Sequence, residues 1–350
     1  MNSKPTDTNS WVKWWLLIGV IMVFVQILLG GITRLTGSGL SITRWDIVTG
    51  TLPPLNEVQW EEAFTLYKAT PQYQKINEGM ELSRFKFIFF WEYIHRLWAR
   101  SMGFVFLFPF IYFLYRGWLK KETIRRLVVV ILLASLAALF GWIMVASGLI
   151  NRPWVSAYKL TIHLSLGITL FIFLAYTWIK EKGFSIIPVS KKWKISLNWF
   201  IGLVIIQVFF GGFVSGMKSA LNYPNWPKMN GEWIPSILFD SSHWNMDSVL
   251  LYDQSGFMPA LVQFIHRNLA YLITLIGIVF SIKWINQNER KHTWVAYCLL
   301  GIIVVQVLLG ILTLIGSKGA IPLFFGAAHQ GVGILFLTYI MYINLKTSSK

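Results

Sequence analysis

Glu92 and His95 stand three residues apart in Trp91-Glu92-Tyr93-Ile94-His95-Arg96-Leu97-Trp98-Ala99-Arg100, at the start of a long apolar run. A carboxylate, an imidazole and two guanidiniums are costly where lipid begins, and residues kept there are usually functional. On a helix this spacing puts Glu92 and His95 on one face, within reach of each other. A second copy, Gln263-Phe264-Ile265-His266-Arg267, opens another apolar run, with glutamine in place of the glutamate. Proton chemistry is available beside the first histidine and absent beside the second.

The chain that positions these groups has 350 residues, 55% hydrophobic and 13% charged, a composition that places most of its surface in lipid. Sixteen per cent aromatic residues, including 18 Trp, suit the aromatic belts of a bilayer. The net charge of +16 is scattered between apolar segments and forms no continuous basic face, which argues against nucleic acid as a partner. One cysteine, Cys298, excludes an intramolecular disulfide or a thiolate cluster. The polar first ten residues lack the Arg-rich amphipathic character of a transit peptide, so a bacterial cell (inner) membrane is the simpler setting.

Eight runs reach the roughly 20 residues needed to span a hydrocarbon core. They lie near 11–33, 87–115, 126–148, 158–180, 194–216, 259–284, 293–316 and 321–345. The first is too long for a signal-peptide core and reads as a retained span. Three short loops are basic: Arg116, Lys120, Lys121, Arg125 and Arg126; Lys180, Lys182, Lys191, Lys192 and Lys194; and Lys283, Arg290 and Lys291. The positive-inside rule makes these loops, and hence both termini, cytoplasmic. Residues 34–86 and 217–258 are long, rich in Trp, Pro, Gly and Asn, and expected to cap the outer face with short interfacial helices such as Glu57 to Tyr67.

Gln26-Ile27-Leu28-Leu29-Gly30-Gly31 in the first span returns as Gln207-Val208-Phe209-Phe210-Gly211-Gly212 in the fifth, and Gln306-Val307-Leu308-Leu309-Gly310 stands in the seventh. Close helix packing explains such glycines. The repeat predicts an all-α polytopic membrane protein whose eight transmembrane helices form two four-helix half-repeats, related by a pseudo-two-fold axis along the membrane normal. The halves are residues 1–186 and 187–350.

Of six histidines, His95, His163, His266 and His329 fall on spans two, four, six and eight, each near the outer end. At helical rise they lie about 8–12 Å deep, so the two of each half can face one another at one height. A single membrane histidine is ordinarily a hydrogen-bonded packing residue. Four at repeated positions favour paired axial ligands of a six-coordinate haem iron, whose macrocycle supplies the other four donors. Zinc would need three or four protein ligands together, more than either half offers. His292, beside Arg290 and Lys291, reads as solvated, and His243 has no spacing partner. Arg96, Arg100 and Arg267 suit haem propionates as charge-assisted donors, and equally suit snorkelling to the interface.

The glutamate-to-glutamine difference makes the N-terminal half the reaction site and gives the C-terminal half a permanent haem. Glu92 reads equally as a partner that orients His95, or as a residue sitting near the interface.

The stretches Gly30-Gly31-Ile32-Thr33-Arg34-Leu35-Thr36-Gly37-Ser38-Gly39-Leu40-Ser41, Gly50-Thr51-Leu52-Pro53-Pro54-Leu55 and Phe85-Lys86-Phe87-Ile88-Phe89-Phe90-Trp91-Glu92-Tyr93-Ile94-His95-Arg96 closely resemble the haem A synthase family, in its branch shared by proteobacteria and mitochondria. The likeness continues through Pro227-Lys228-Met229-Asn230-Gly231-Glu232-Trp233 and Val262-Gln263-Phe264-Ile265-His266-Arg267 to His329, nearly the whole chain. It implies an oxidoreductase that converts the C8 methyl of haem O to the formyl group of haem A for terminal oxidases. His95 and His163 then match the family's substrate-side pair, Glu92 its acidic residue required for oxidation, and His266 and His329 its haem b ligands. Implied partners are haem O, an electron donor, a haem O synthase and the lipid bilayer, and a homo-oligomer is compatible. The cysteine pair that many members carry in the first outer loop is missing, Ala99 stands where glycine is frequent, and 216–222 departs from the usual small, acidic pattern.

The chemistry suits a carboxylate: removing electrons from a methyl conjugated with the porphyrin develops positive charge, which Glu92 can stabilise or relieve by taking a proton. The competing class is a di-haem membrane cytochrome that carries electrons from quinol without altering its haem. A transporter would need polar groups along a path to both sides, whereas the intramembrane histidines cluster near the outer face.

Overall fold

The structure, a computed structural model, describes residues 9–44, 51–149, 153–287 and 292–349. Gly50, Arg290 and Lys291, used above, lie outside the described residues. Eight helices are long and apolar enough to cross a membrane: α1 (Ser10–Leu35), α4 (Leu82–Tyr115), α5 (Lys121–Gly148), α6 (Ala157–Lys182), α7 (Lys191–Gly216), α10 (Phe257–Gln287), α11 (Trp294–Ile315) and α12 (Leu323–Lys346). The long connections carry α2 (Glu57–Lys68) and α3 (Pro71–Ile76) in the first, and α8 (Ser219–Asn222) and α9 (Met246–Leu250) in the second. Two 3-10 turns, Ser236–Phe239 and Ser241–His243, and one short parallel pair, β1 (Ile187–Val189) with β2 (Thr347–Ser349), complete the described elements. The chain is thus an all-α, multi-span membrane protein.

All eight spans begin within five residues of the expected position, α4 and α5 starting five residues early. Helix α4 starts at Leu82, so His95 stands 13 residues into the helix, whereas His163 stands 6 into α6 and His329 6 into α12. The added turns are amphipathic: Phe85, Ile88 and Phe89 are buried against Phe64 and Tyr67 of α2. Ring centroids of Phe85 lie 5.0 Å from Phe64 and 5.1 Å from Tyr67. The polar Ser83, Arg84 and Lys86 interrupt the apolar run there, which is why hydropathy alone starts the span later. The helix therefore continues past the bundle as a stem that holds the first cap.

The chain divides into two compact units, Met1–Phe184 and Ser185–Lys350. In the first, α1 packs between α4 and α6, and α5 packs on α6; among the described residues α4 and α5 share no comparable face. In the second, α7, α10, α11 and α12 close a ring, each packing on two neighbours.

Two of the cations counted in the basic loops are held in place. Glu181 Oε1 accepts from Thr123 Oγ1 at 2.6 Å and from Arg126 Nη2 at 2.5 Å, tying α5 to α6. Lys194 Nζ donates to the carbonyls of Asn344 and Thr347, closing the end of α12. His292, expected to be solvated, is half-buried with a left-handed backbone, and its carbonyl accepts from Trp284 Nε1 at 3.0 Å. His243 stays at the periphery, 3.9 Å from Asp240 and beside Phe257.

Candidate histidine pairs and the Glu92 site

Each of the four span histidines rests on a glycine of a neighbouring helix. A Cβ placed on Gly30 would come 3.2 Å from His95 Cε1, and one on Gly211 3.3 Å from His266 Cε1. On Gly141 and Gly310 the same atom would come 2.9 Å from Cε1 of His163 and His329. Only glycine leaves room for an imidazole against the helix backbone at such distances. The repeated glycines are thus the rear walls of the histidines, a role their spacing alone did not reveal.

The residue one turn before each glycine sets the ring. His163 Nδ1 lies 2.9 Å from the Ala137 carbonyl and His329 Nδ1 3.2 Å from the Gln306 carbonyl. A carbonyl only accepts, so these nitrogens carry the proton and Nε2 keeps its lone pair for a metal. Gln26 Nε2 lies 3.2 Å from His95 Nε2, and Gln207 Nε2 3.3 Å from His266 Nε2. Both glutamines belong to the repeated Gln-x-x-x-Gly motif, in which the sequence assigns a packing role to the glycines alone.

The rings of His266 and His329 stand with centroids 6.4 Å apart and planes at 76°. Metal–imidazole bonds of about 2 Å on each side match such a separation. Among the described residues no three His, Cys, Asp or Glu converge as a metal cluster. The facing imidazoles of His266 and His329, the Nδ1 protons of His163 and His329 and the four glycine rear walls make a donor set that fits haem iron.

Glu92 is 2% exposed and saturated with donors. Its Oε2 accepts from Ser41 N and Ser41 Oγ, both at 2.7 Å, and from Ile42 N at 2.9 Å. Its Oε1 accepts from Arg96 Nη2 at 2.6 Å, an i,i+4 ion pair on α4. These bonds run to the loop following α1 and to Arg96 rather than to His95. The loop is anchored a second time by Leu40, 1% exposed and packed where Gly148 of α5 has no side chain. Ser41 and Ile42 are site residues that sequence reasoning missed, because a backbone N–H carries no sequence signature.

Arg96 reaches further into the same loop, donating to the carbonyls of Ile42 at 3.2 Å and Arg44 at 3.4 Å. Together with Arg100 and Arg44 it lines a cavity of about 420 Å³ between α4 and the first cap, whose other wall includes Leu52, Pro54, Gln59 and Tyr93. Arg44 also pairs with Glu62 at 3.2 Å.

In the second unit the residues at the matching sequence positions make different bonds. Gln263, 2% exposed, donates to the Tyr223 carbonyl at 3.2 Å, and its Oε1 is buried without a hydrogen-bond partner among the described residues. Arg267, which by sequence suits a haem propionate and equally the interface, donates through Nη2 to the carbonyls of Asn225 at 2.7 Å and Tyr223 at 3.0 Å, and through Nη1 to those of Lys228 at 3.2 Å and Pro227 at 3.4 Å. These bonds tie α10 to the second cap.

The family model described as "Cytochrome oxidase assembly protein", COX15-CtaA, matches residues 13–341. The chain is similar to a protein named "Heme A synthase" from Bradyrhizobium diazoefficiens, at 38% identity over 99% of this chain and 94% of the relative. It is 38% identical to one of the same name from Flavobacterium psychrophilum, over 95% of this chain and 97% of the relative. A third, from Brucella ovis, is 36% identical over 96% of this chain and 92% of the relative. The chain belongs to the COX15-CtaA family of cytochrome oxidase assembly proteins.

Proposed function

We propose that this protein is a haem A synthase: it oxidises the C8 methyl group of haem O to the formyl group of haem A, in the unit that carries His95 and His163. The observation that carries the reading is the buried Glu92, one helical turn from His95, with neutral Gln263 at the matching position before His266. The full-length similarity to proteins named "Heme A synthase" supports it.

In this reading the units are an internal repeat with divided labour. His95 and His163 hold the substrate, haem O, against the walls formed by Gly30 and Gly141. Arg96 and Arg100, at the edge of the 420 Å³ cavity, receive its propionates. Glu92, held by its four donors, sets a carboxyl group where it stabilises the positive charge that develops as the methyl loses electrons. Ser41 and Ile42 keep the carboxylate in place and the cap shut over it. His266 and His329 hold a resident haem b, which supplies one-electron chemistry when bound. Gln263 cannot ionise, so no proton chemistry competes there. The protein sits in a bacterial inner membrane with both termini cytoplasmic and the haem sites toward the outer face. It receives haem O from a haem O synthase and reducing equivalents from a membrane donor, with dioxygen as the oxidant that the change from methyl to formyl requires, and a homo-oligomer is compatible with this arrangement.

The test is the haem content of the purified protein after co-expression with a haem O synthase, extracted and resolved by chromatography. Haem b together with haem A, or with a hydroxylated haem O, is expected. Haem b alone, with supplied haem O unchanged under aerobic reducing conditions, would overturn the reading in favour of an electron carrier.

A further inference from the structure

One turn before each rear-wall glycine stand Gln26, Ala137, Gln207 and Gln306. Ala137 breaks the pattern, and the surroundings of the glycine on the facing helix differ with it. In the second unit Gln306 reaches across to α12, where its Nε2 lies 3.0 Å and its Cδ 3.7 Å from the position of a Cβ on Gly333. Gly333 follows His329 by four residues, and the counterpart following His163 is Gly167. A Cβ on Gly167 would meet nothing closer than Ile27 Cγ1, at 3.8 Å. The space that an amide fills beside His329 is therefore a notch beside His163, walled by Ala137 and Gly167.

A second, independent difference points the same way. The α10–α11 side of the second unit is packed, whereas α4 and α5 of the first share no comparable face among the described residues. Only 6% of the most apolar stretch of α4, and 6% of that of α5, is buried, against 28% in α10 and 17% in α11. The first bundle thus has both a notch one turn below its histidine and a side open along its length, features suited to a porphyrin with a long apolar substituent. Haem O differs from haem b by an isoprenoid chain where the latter has a vinyl group.

Resting on the functional reading above, we propose that Ala137, with Gly167 facing it, determines the specificity of the first unit for an isoprenoid-bearing haem. Gln306 excludes such a haem from the second. The small side chain at 137 leaves the first turns of the isoprenoid chain a path past α6, and the open α4–α5 side lets the rest extend into lipid. At 306 the amide occupies the same path, so only a porphyrin with short substituents fits between His266 and His329.

The full-length protein, purified in detergent, is titrated with haem O and with haem b and followed by Soret absorbance, and its haems are extracted after co-expression with a haem O synthase. Ala137→Gln is expected to lower haem O binding at least tenfold while haem b at the second unit is retained. Gln306→Ala is expected to take isoprenoid haem into both units, a gain that misfolding cannot mimic. Wild-type haem O binding by Ala137→Gln, or a second unit in Gln306→Ala that still takes haem b alone, overturns the proposal. If Ala137→Gln fails to insert, Gln306→Ala decides. Wild-type protein that binds haem O without converting it would sink the enzymatic reading and leave the notch standing. Conversion by Ala137→Gln at wild-type affinity and rate would do the reverse.

Discussion

His163 stands against Gly141 so closely that a Cβ on the glycine would begin 2.9 Å from Cε1 of the ring, and His329 meets Gly310 at the same 2.9 Å. The backbone of the neighbouring helix thus fixes how far each imidazole projects toward its partner. Gly141→Ala and Gly310→Ala are expected to displace the ring by a few tenths of an ångström and weaken haem binding in their own unit several-fold. Helix propensity would favour the alanine by about 1 kcal/mol, so the melting temperature should not fall for that reason. Gly30→Ala and Gly211→Ala, at 3.2 and 3.3 Å, should have the milder effect. Haem retention per unit, read from extracted haem and from the Soret band, checks the order.

Glu92→Gln should leave haem bound and lower turnover by roughly 10²–10⁴-fold, the range for losing a proton-handling or charge-stabilising group. It also turns an amide NH2 toward Ser41 and Ile42 or toward Arg96, all donors, at a cost of about 1–3 kcal/mol. Ser41→Ala separates the two effects: it removes one donor and keeps the charge. Haem A formed per chain should stay within severalfold of wild type in Ser41→Ala, and loss of turnover there equal to that of Glu92→Gln would assign Glu92 a purely structural role.

His266→Ala should cut the content of stably bound haem b roughly tenfold or more while the protein still inserts, because one of two facing imidazoles is lost. Extraction of haem from membranes carrying equal amounts of variant and wild type measures it. Unchanged haem b would remove His266 from the ligand pair.

The first cap carries a titratable group of its own. Tyr67 hydrogen-bonds through its hydroxyl to Gln72 at 3.0 Å and to Asn77 at 2.6 Å, and burial raises its phenol above the ordinary value of 10.0. A group raised on folding contributes stability that is complete below its unfolded value and is lost as pH rises toward the folded one. The cap should therefore be indifferent to pH between about 6 and 9 and loosen above about 10. Limited proteolysis within 51–81 across that range reports it, and Tyr67→Phe should abolish the alkaline sensitivity.

The number of spans, their approximate bounds, the four histidines and the Glu92/Gln263 difference were all legible in the chain, because each is a local property. Apolar length is set by bilayer thickness, and a histidine's height by its place along one helix. What the tertiary structure decided involves residues far apart in sequence. Glu92 bonds to Ser41 and Ile42, and Arg267 to carbonyls about 40 residues before it. Those partners are mainly backbone atoms, which every residue possesses and no motif announces. Gly141 escaped the repeat because Ala137 replaces the glutamine that marks the other three, and only the ring of His163 against it identifies its role. Hydropathy placed the start of α4 late because the stem turns of that helix bury their apolar face against α2 rather than lipid. Periodicity reports which face of a helix is apolar, and only packing decides what that face meets.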